Sequence, residues 1–422
     1  MTDPRGMLYG RQWSVGLVVT LLVWACAANA EEDALADPLA GDAVELVDPP
    51  HEGYQRLLNA RVQVKVLQGL EWPVIPPGPS IHSGESDERL PQIRQRLTLL
   101  GDFTASGMED PSLYYDLELE SAVRNFQARH GLEVDGVIGR RTLEAMNVTP
   151  QQRLNTIDVN LERWRWLPDV LGETRVQVNI AGYELQVFRD GRLAGTHRVV
   201  VGRPYRSTPL FSDQIRYLEF NPTWTVPFKL MVEDELPKIR RDPDRLRRLG
   251  FAIYQGWGDE RRLVDPDTID WDSLSRSYFP YQLVQQPGPT NALGQVKFMF
   301  PNRFAVYLHD TPAKNLFWRT ERIFSSGCIR VDRPFELALQ LLGDEGWDRG
   351  RINSILDRGE TRVVHLPEPV PIHLQYWTAW AEADGTLNFR RDIYDRDHKV
   401  LDALRASAPG VPVERPADLQ VF

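Results

Sequence analysis

Cysteine is nearly absent from this sequence of 422 residues, in which only Cys26 and Cys328 occur. Two cysteines exclude the disulfide framework that supports many small secreted domains. Basic residues are too few for a broad nucleic-acid-binding surface, because 49 Lys and Arg face 59 Asp and Glu and the formal net charge is -10. The hydrophobic fraction of 42% predicts folded cores. At about 150 residues per domain, the length predicts two or three domains.

Long hydrophobic runs are confined to the N-terminus. Arg5 and Arg11 precede an apolar run at residues 13–28, and Ala28-Asn29-Ala30 supplies the small residues that precede a signal-peptidase cut. At about 16 residues, the run is shorter than the roughly 20 that cross a bilayer. The pattern predicts a signal peptide over residues 1–30 and a soluble mature protein outside the cytoplasm.

The leader also decides the cysteine count of the mature chain. Cleavage removes Cys26 and leaves Cys328 as a single thiol in an oxidising compartment, which favours a specific function for that thiol. Two alternatives stay open. The N-terminal segment is retained as a membrane anchor, or Cys26 carries a lipid, which the bulky Trp24 just upstream disfavours.

Composition and periodicity divide the chain into segments. Prolines within 72–79 end a helical stretch, because proline lacks the N–H and clashes with the preceding turn. Apolar residues then recur with helical spacing from 88 to 148 and alternate as in strands from residue 174 onward. We therefore expect a signal peptide at 1–30, an acidic leader with an N-terminal helical and linker segment at 31–87, a three-helix module at 88–150, a connector at 151–172, a β-rich domain at 173–365, and a C-terminal hairpin and tail at 366–422.

The predicted fold class is multidomain α+β. A charged, helix-favouring stretch interrupts the strands of the β-rich domain, which predicts an inserted helical capping subdomain at about 230–286. Residues 373–380 and 388–393 are expected to form a final hairpin that turns at Asp384-Gly385.

The densest chemical signature is Tyr307-Leu308-His309-Asp310-Thr311-Pro312, followed by Ser325-Ser326-Gly327-Cys328-Ile329-Arg330. A thiol nucleophile needs a base nearby, and histidine is its usual partner. Gly327 lets backbone N–H groups approach a carbonyl, so the N–H groups of Gly327 and Cys328 are candidate oxyanion donors. Arg330 is available to an anionic group. These residue types predict acyl transfer.

Structural roles compete with these functional ones. A single cysteine is often a small buried hydrophobe, and Ser326 also fits a turn. Tyr307 shares a strand face with His309, where it either contacts substrate or packs as a half-buried aromatic. The side chain of Asp310 points away from His309 on a strand, so a backbone carbonyl is as good a candidate to orient the imidazole.

The pattern His309 … Ser326-Gly327-Cys328-Ile329-Arg330 resembles the signature of L,D-transpeptidases with a YkuD-like catalytic domain. With residues 286–294 and 309–312, it resembles the large periplasmic branch of that family from Gram-negative bacteria. Ser326 departs from the pattern, because the wider family commonly has a histidine there. Residues 122–143 resemble a three-helix peptidoglycan-binding module, for which glycan contact and a docking role are both open.

By this resemblance, Cys328 is the nucleophile, His309 the general base and acid, and Arg330 a substrate or loop anchor. Trp224 resembles an aromatic wall of the family's cleft, with core packing as its alternative. The residues that the resemblance assigns to oxyanion or substrate binding are Gly327, Ser326, Arg330, Tyr307 and Trp224.

The implied function is peptidoglycan cross-linking in the periplasm. Cys328 would cleave the bond between residues 3 and 4 of a tetrapeptide stem and pass the acyl group to the side-chain amine of a diamino acid in a second stem. The insertion at 230–286 would act as a lid, and a carbapenem would acylate Cys328. The expected partners are the donor and acceptor stem peptides and other cell-wall synthases, with no nucleic acid, metal or other cofactor, and a monomeric chain.

Three alternatives to this function remain. The same scaffold could use water as the acceptor, which would make the protein an L,D-carboxypeptidase or endopeptidase. In the second alternative Cys328 is inert and the protein is a non-catalytic peptidoglycan-binding protein. The third is a redox protein that uses one thiol, which would have no resolving cysteine once the leader is removed.

Overall fold

The computed structural model describes residues 48–104, 112–343, 346–407 and 413. The predicted signal peptide and Cys26 lie outside these residues. Within them, no helix has the length and hydropathy of a membrane span. The helices are α1 Glu52–Val66, α2 Leu90–Leu99, α3 Leu117–Arg129, α4 Arg140–Asn147, α5 Pro150–Arg165, α6 Phe228–Leu230, α7 Leu236–Arg241, α8 Arg245–Arg248, α9 Pro334–Leu342, α10 Arg349–Leu356 and α11 Asp397–Ala406.

Fifteen strands are present in the described part of the chain. They are β1 Arg175–Asn179, β2 Glu184–Arg189, β3 Arg192–Gly202, β4 Phe211–Phe220, β5 Trp224–Thr225, β6 Phe251–Gln255, β7 Arg262–Val264, β8 Tyr281–Gln285, β9 Val296–Met299, β10 Leu308–His309, β11 Ile323–Ser325, β12 Ile329–Val331, β13 Arg362–Gln375, β14 Ala379–Ala381 and β15 Leu387–Phe389.

The helical module contains the three predicted helices, α2, α3 and α4. Asp116 caps α3 by accepting a hydrogen bond from the Leu119 N–H, which satisfies one of the free donors at a helix start. Gly131 follows α3 with φ +63°, a conformation that favours glycine. The module has a core of its own, formed mainly by Leu90, Ile93, Leu97, Leu119, Val123, Phe126, Ile138 and Met146.

The segment predicted as a connector is a 16-residue helix, α5. Thr149 starts it with a capping box, in which its side chain accepts from the Gln152 N–H and the Gln152 side chain accepts from the Thr149 N–H. The buried face of α5 packs against α1 and Trp377 of the C-terminal segment. The connector is therefore part of a second helical core.

The catalytic candidates lie on a nine-stranded sheet. Its strand order is β11-β3-β12-β10-β9-β4-β13-β1-β2, and β2 also pairs with β3, so the sheet curves back on itself. Alternate residues of each strand point to opposite faces. One face forms the large core, which includes Val176, Leu218, Phe298, Leu308, Ile329 and Val331.

The predicted domain boundary after residue 365 falls inside β13. This strand pairs with β4 and then with β1, and its last residues, Ile372–Gln375, belong to the main sheet. Prolines at 367 and 369 cannot donate to the ladder, and a register shift between His365 and Val370 lets the strand pass them. The final hairpin is consequently shorter than predicted and consists of β14 and β15.

The inserted subdomain is helical only in part. The predicted helices appear as α6, α7 and α8, with a π-helical turn at Met231–Glu235 between the first two. A four-stranded sheet in the order β5-β8-β6-β7 was not predicted. Both parts pack around one core, to which Ile239, Ile253, Trp271 and Leu283 belong. The sequence did not indicate the four strands of this sheet because they are short and their polar residues interrupt the alternation of apolar and polar positions.

Candidate active site

The pairing of β10 with β12 brings the predicted residues together. The two strands are parallel, with Leu308 opposite Ile329 and His309 opposite Arg330, and the Ile329 N–H donates to the Tyr307 carbonyl at 3.1 Å. Residues opposite each other in a sheet project to the same face. Leu308 and Ile329 enter the core, so the site residues project to the other face. These site residues are Tyr307, His309, Cys328 and Arg330.

Cys328 rests as a neutral thiol. Burial raises the pKa of the thiol, while the backbone N–H and the hydroxyl of Tyr307 oppose this by hydrogen bonding to the sulfur. Burial and the neighbouring sulfur likewise raise the pKa of the Tyr307 phenol. The thiol itself reaches the Ala305 carbonyl at 3.8 Å. The phenol is thus a donor aimed at the atom that would become negative on ionisation.

His309 is buried and neutral. Burial, with a smaller contribution from Arg330, lowers its pKa to about 3. Its Nδ1 lies 2.5 Å from the Asp310 carbonyl oxygen, so Nδ1 carries the proton and Nε2 is the basic atom. The carboxylate of Asp310 instead accepts from the Gln295 and Thr311 N–H groups and from Lys314. A backbone carbonyl, one of the two predicted options, therefore orients the imidazole.

Among the described residues, no hydrogen bond joins the Cys328 thiol to the His309 imidazole. Cys328 faces Tyr307 and Ala305, while His309 faces Asp310. Catalytic hydrogen bonds are often long in unliganded enzymes and shorten when substrate binds. The two side chains share one face of paired strands, which is the placement that such a rearrangement needs.

The loop before Cys328 is held by side chains that sequence reasoning treated as turn residues or did not single out. Ser325 donates from Oγ to the Cys328 carbonyl at 2.5 Å, and Thr208 donates to the Gly327 carbonyl at 2.9 Å. Gly327 has φ +118°, which disfavours any residue with a Cβ. Its N–H donates to Ser325 Oγ at 3.2 Å, so the predicted oxyanion role of this N–H requires that bond to open. The Cys328 N–H stays a predicted oxyanion donor.

Arg330 is a cation close to Cys328. Its Nε is buried without a hydrogen-bond partner, and no carboxylate of the described residues forms an ion pair with it. Burial, followed by repulsion from Arg203, lowers its pKa. In contrast, Lys297 on β9 pairs with Glu219 at 3.4 Å. An anionic group of a ligand would complete the environment of Arg330.

Ser326 is connected to the inserted subdomain through a residue that the sequence did not single out. Arg206 donates to Ser326 Oγ at 3.1 Å and forms ion pairs with Glu233 and Asp234. No local pattern marks Arg206, because its partners are distant in the sequence. Trp224 lies on β5, where its ring is 6.3 Å from the ring of Phe251 and packs on the core of the insert. This packing is the alternative that we considered for Trp224.

Two segments of the chain match models of known families. Residues 173–364 match the family model described as the L,D-transpeptidase catalytic domain. Residues 173–364 form an L,D-transpeptidase catalytic domain. The helical module matches a peptidoglycan binding domain family over residues 86–146. The first match covers the nine-stranded sheet up to the start of β13, and the second covers α2, α3 and all but the last residue of α4.

Individual relatives are also similar. A protein of Haemophilus influenzae named "Putative L,D-transpeptidase" is 38% identical over 242 residues, which are 57% of this chain and 48% of that protein. The chain thus spans about half the length of this curated relative. An L,D-transpeptidase structure from Xylanimonas cellulosilytica is 16% identical and covers 71% of this chain and 99% of its own, with TM-score 0.22. An L,D-transpeptidase structure from Mycobacterium smegmatis is 12% identical, and the match covers 48% of this chain and 58% of that chain, with TM-score 0.23.

Proposed function

We propose that this chain is an L,D-transpeptidase that forms 3-3 cross-links in peptidoglycan through a thioester on Cys328. The observation that carries the proposal is the shared sheet face of Cys328, His309, Tyr307 and Arg330 within a domain of this family. The peptidoglycan-binding module supports peptidoglycan as the substrate. The leader and the substrate together favour a periplasmic location, which cell fractionation with an antibody to the folded chain would test.

The first half-reaction forms the thioester. Sγ of Cys328 attacks the carbonyl carbon of the third stem residue, and Nε2 of His309 accepts the thiol proton. The Cys328 N–H stabilises the oxyanion, and the Tyr307 hydroxyl stabilises developing charge on sulfur. Collapse of the tetrahedral intermediate breaks the bond between residues 3 and 4 of the stem, and His309 donates the thiol proton to the nitrogen of the leaving D-alanine.

The second half-reaction transfers the acyl group. The side-chain amine of a diamino acid in another stem attacks the thioester carbonyl, and His309 accepts a proton from that nitrogen. The C–S bond breaks, the thiolate recovers the proton, and an amide links two third residues. Water in place of the amine would give hydrolysis, so shielding the thioester favours transfer. The inserted subdomain, joined to Ser326 through Arg206, is the element placed to provide that shield.

Arg330 supplies the charge that the stem requires. Stem peptides carry carboxylates, and an arginine without an ion-pair partner gains a charge-assisted hydrogen bond when one arrives. Replacing Arg330 with lysine keeps the charge but loses the planar pair of donors. We expect Arg330→Lys to raise KM for the tetrapeptide more than it lowers kcat.

The decisive experiment incubates the purified full chain with disaccharide-tetrapeptides and separates the products by mass. Cross-linked dimers that disappear in Cys328→Ala support the proposal. Tripeptide monomers without dimers would instead establish the carboxypeptidase alternative. Failure of a carbapenem to add its mass to Cys328, with no product from either reaction, would favour the non-catalytic alternative.

A further inference from the structure

Thr208 orients the peptide group that carries the predicted oxyanion donor. Its hydroxyl donates to the Gly327 carbonyl at 2.9 Å and accepts from the Gly202 N–H at 2.9 Å. The Gly327 carbonyl and the Cys328 N–H belong to one planar peptide group and point in opposite directions in its trans form. A donor that holds the carbonyl on one side therefore fixes the direction of the N–H on the other side.

This peptide group needs an external support because a glycine precedes it. Gly327 has φ +118° and no Cβ, so its own backbone restricts the rotation of the next peptide group little. Thr208 has no exposed surface, so water does not compete for its hydroxyl. A hydrogen bond to the carbonyl also polarises the amide and strengthens its N–H as a donor. The Thr208 hydroxyl thus sets both the direction and the strength of the Cys328 N–H.

Thr208 is itself held by Tyr394, which comes from the C-terminal segment. The Tyr394 hydroxyl accepts from the Thr208 backbone N–H at 3.2 Å and donates to the Gly202 carbonyl at 2.7 Å. One side chain thus joins the two sides of the 203–208 loop, which follows β3. Tyr394 lies between β15 and α11, beyond residue 364, where the match to the transpeptidase family model ends. A segment outside the family match therefore supports the loop that holds the nucleophile.

The position of Tyr394 is fixed by further contacts. Its N–H donates to the Tyr376 hydroxyl at 2.8 Å, and the two rings stack with their centroids 5.4 Å apart. The Arg396 guanidinium lies 4.8 Å from the Tyr394 ring centroid and donates to Ser207 Oγ at 3.2 Å, next to Thr208 in the loop. Phenylalanine in place of Tyr394 would keep the ring contacts and remove only the two bonds of the hydroxyl.

We infer that Thr208 and Tyr394 are positioning residues for acyl transfer, which direct the Cys328 N–H at the oxyanion through the Gly327 peptide group. The inference rests on the proposed function, because acyl transfer is the reaction that forms an oxyanion at Cys328. Among the described residues, no hydrogen bond joins Thr208 or Tyr394 to the thiol or to the catalytic imidazole. Their loss should therefore slow the step that forms an oxyanion and spare direct attack of the sulfur on other electrophiles.

Two reagents separate the direction of the N–H from the reactivity of the thiol. Cys328 attacks a carbapenem at a carbonyl carbon and forms an oxyanion, whereas it attacks iodoacetamide at a saturated carbon and forms none. The intact mass of the full chain, followed over time, gives both second-order rates. Loss of an entire oxyanion donor lowers a rate by about 100- to 1,000-fold. We expect a misdirected donor to lower acylation about 10- to 100-fold in Tyr394→Phe and Thr208→Val, with alkylation within about twofold of the native rate.

Conservative variants and matched controls distinguish positioning from folding. Thr208→Ser keeps the hydroxyl and should be acylated at close to the native rate. Thr142→Val and Tyr115→Phe each remove a buried hydroxyl that donates to a backbone carbonyl of the helical module, and they should change neither rate. Thr208→Val leaves two buried backbone groups unpaired, so Tyr394→Phe carries the test if that variant does not fold.

The result that refutes the positioning role differs from the one that refutes the proposed function. Acylation of Tyr394→Phe at the native rate, or an equal fall of its acylation and alkylation rates, refutes the positioning role and leaves the transpeptidase proposal in place. An unsubstituted chain that is alkylated but never acylated, and that forms no cross-linked dimers, refutes the transpeptidase proposal and the positioning role with it.

Discussion

Removing one oxygen atom from Tyr307 should slow the attack of Cys328 while leaving the fold intact. The hydroxyl and the backbone N–H of Tyr307 both bond to Sγ, and only the hydroxyl is lost in Tyr307→Phe. A hydrogen bond to a charged group contributes about 1.5–3 kcal/mol, against about 0.5–1.5 kcal/mol for a neutral one. The charge on sulfur develops during the reaction, so the larger value applies to the transition state. Because Tyr307→Phe also loses the bond of the resting thiol, the rate falls by the difference of about 1–1.5 kcal/mol, which is roughly 5- to 13-fold at about 1.4 kcal/mol per factor of ten.

The measurement is the second-order rate of carbapenem acylation, followed by intact-protein mass. A second measurement is the rate of alkylation of Cys328 by iodoacetamide as a function of pH. Because the Tyr307 hydroxyl lowers the pKa of the thiol, its removal should move that profile to higher pH. A merely structural tyrosine would leave the profile in place.

Tyr115→Phe is the control. Tyr115 is a buried tyrosine of the helical module, and its hydroxyl donates to the Gly136 carbonyl at 2.5 Å. Its replacement leaves that carbonyl unpaired, so stability should fall by about 1–3 kcal/mol with no change in acylation. The reasoning about Tyr307 is refuted if Tyr307→Phe is acylated at the native rate, or if its rate falls only in proportion to lost folded protein.

Three further predictions concern the surroundings of the thiol. The folded pKa of His309, about 3, lies below its unfolded value of about 6.5, so the unfolded chain binds the extra proton between these values and stability falls as pH drops through that window. His309→Gln should remove roughly 2–3 kcal/mol of the stability change between pH 6.5 and 4.5 in denaturant titrations, and an unchanged slope would contradict the buried neutral imidazole. Ser325→Ala removes the donor to the Cys328 carbonyl and should lower kcat about tenfold, whereas Ser326→Ala at the exposed neighbour should change it less than threefold. In Gly202→Ala, the new Cβ would lie 2.2 Å from the Arg206 carbonyl oxygen, so the melting temperature should fall by several degrees, and native-like melting would show that the 203–208 loop yields easily.

The grouping of the candidate residues on one sheet face could be predicted from the sequence, but their hydrogen bonds could not. Cys328 and Arg330 alternate along one strand, and Tyr307 and His309 alternate along another, which is visible in the sequence because a strand has a period of two. His309 bonds to the backbone carbonyl of Asp310, and not to its carboxylate, because the carboxylate has other hydrogen-bond partners. Those partners are Lys314 and two backbone N–H groups, which only the folded loop brings together.

Two predicted segments differ from the secondary structure for a common physical reason. The connector at 151–172 contains most of α5 and the bound at 365 falls within β13, and distant partners build both elements into larger units. The apolar face of α5 packs against Trp377, more than 200 residues later in the chain, and the end of β13 pairs with β1 and β4. A capping box at Thr149 was the available local signal for α5. No comparable local signal existed for the sheet of the inserted subdomain.

The ion pairs of Arg206 limit how the inserted subdomain can be exchanged between enzymes. Because the inserted subdomain has a core of its own, a short loop could be expected to replace it without harm to the rest of the fold. Glu233 and Asp234 would leave with it, and the guanidinium that supports Ser326 would lose both counter-charges. A chimera would therefore have to transplant Arg206 with its two carboxylates, or replace all three together, before its nucleophile loop could be compared with the parent's.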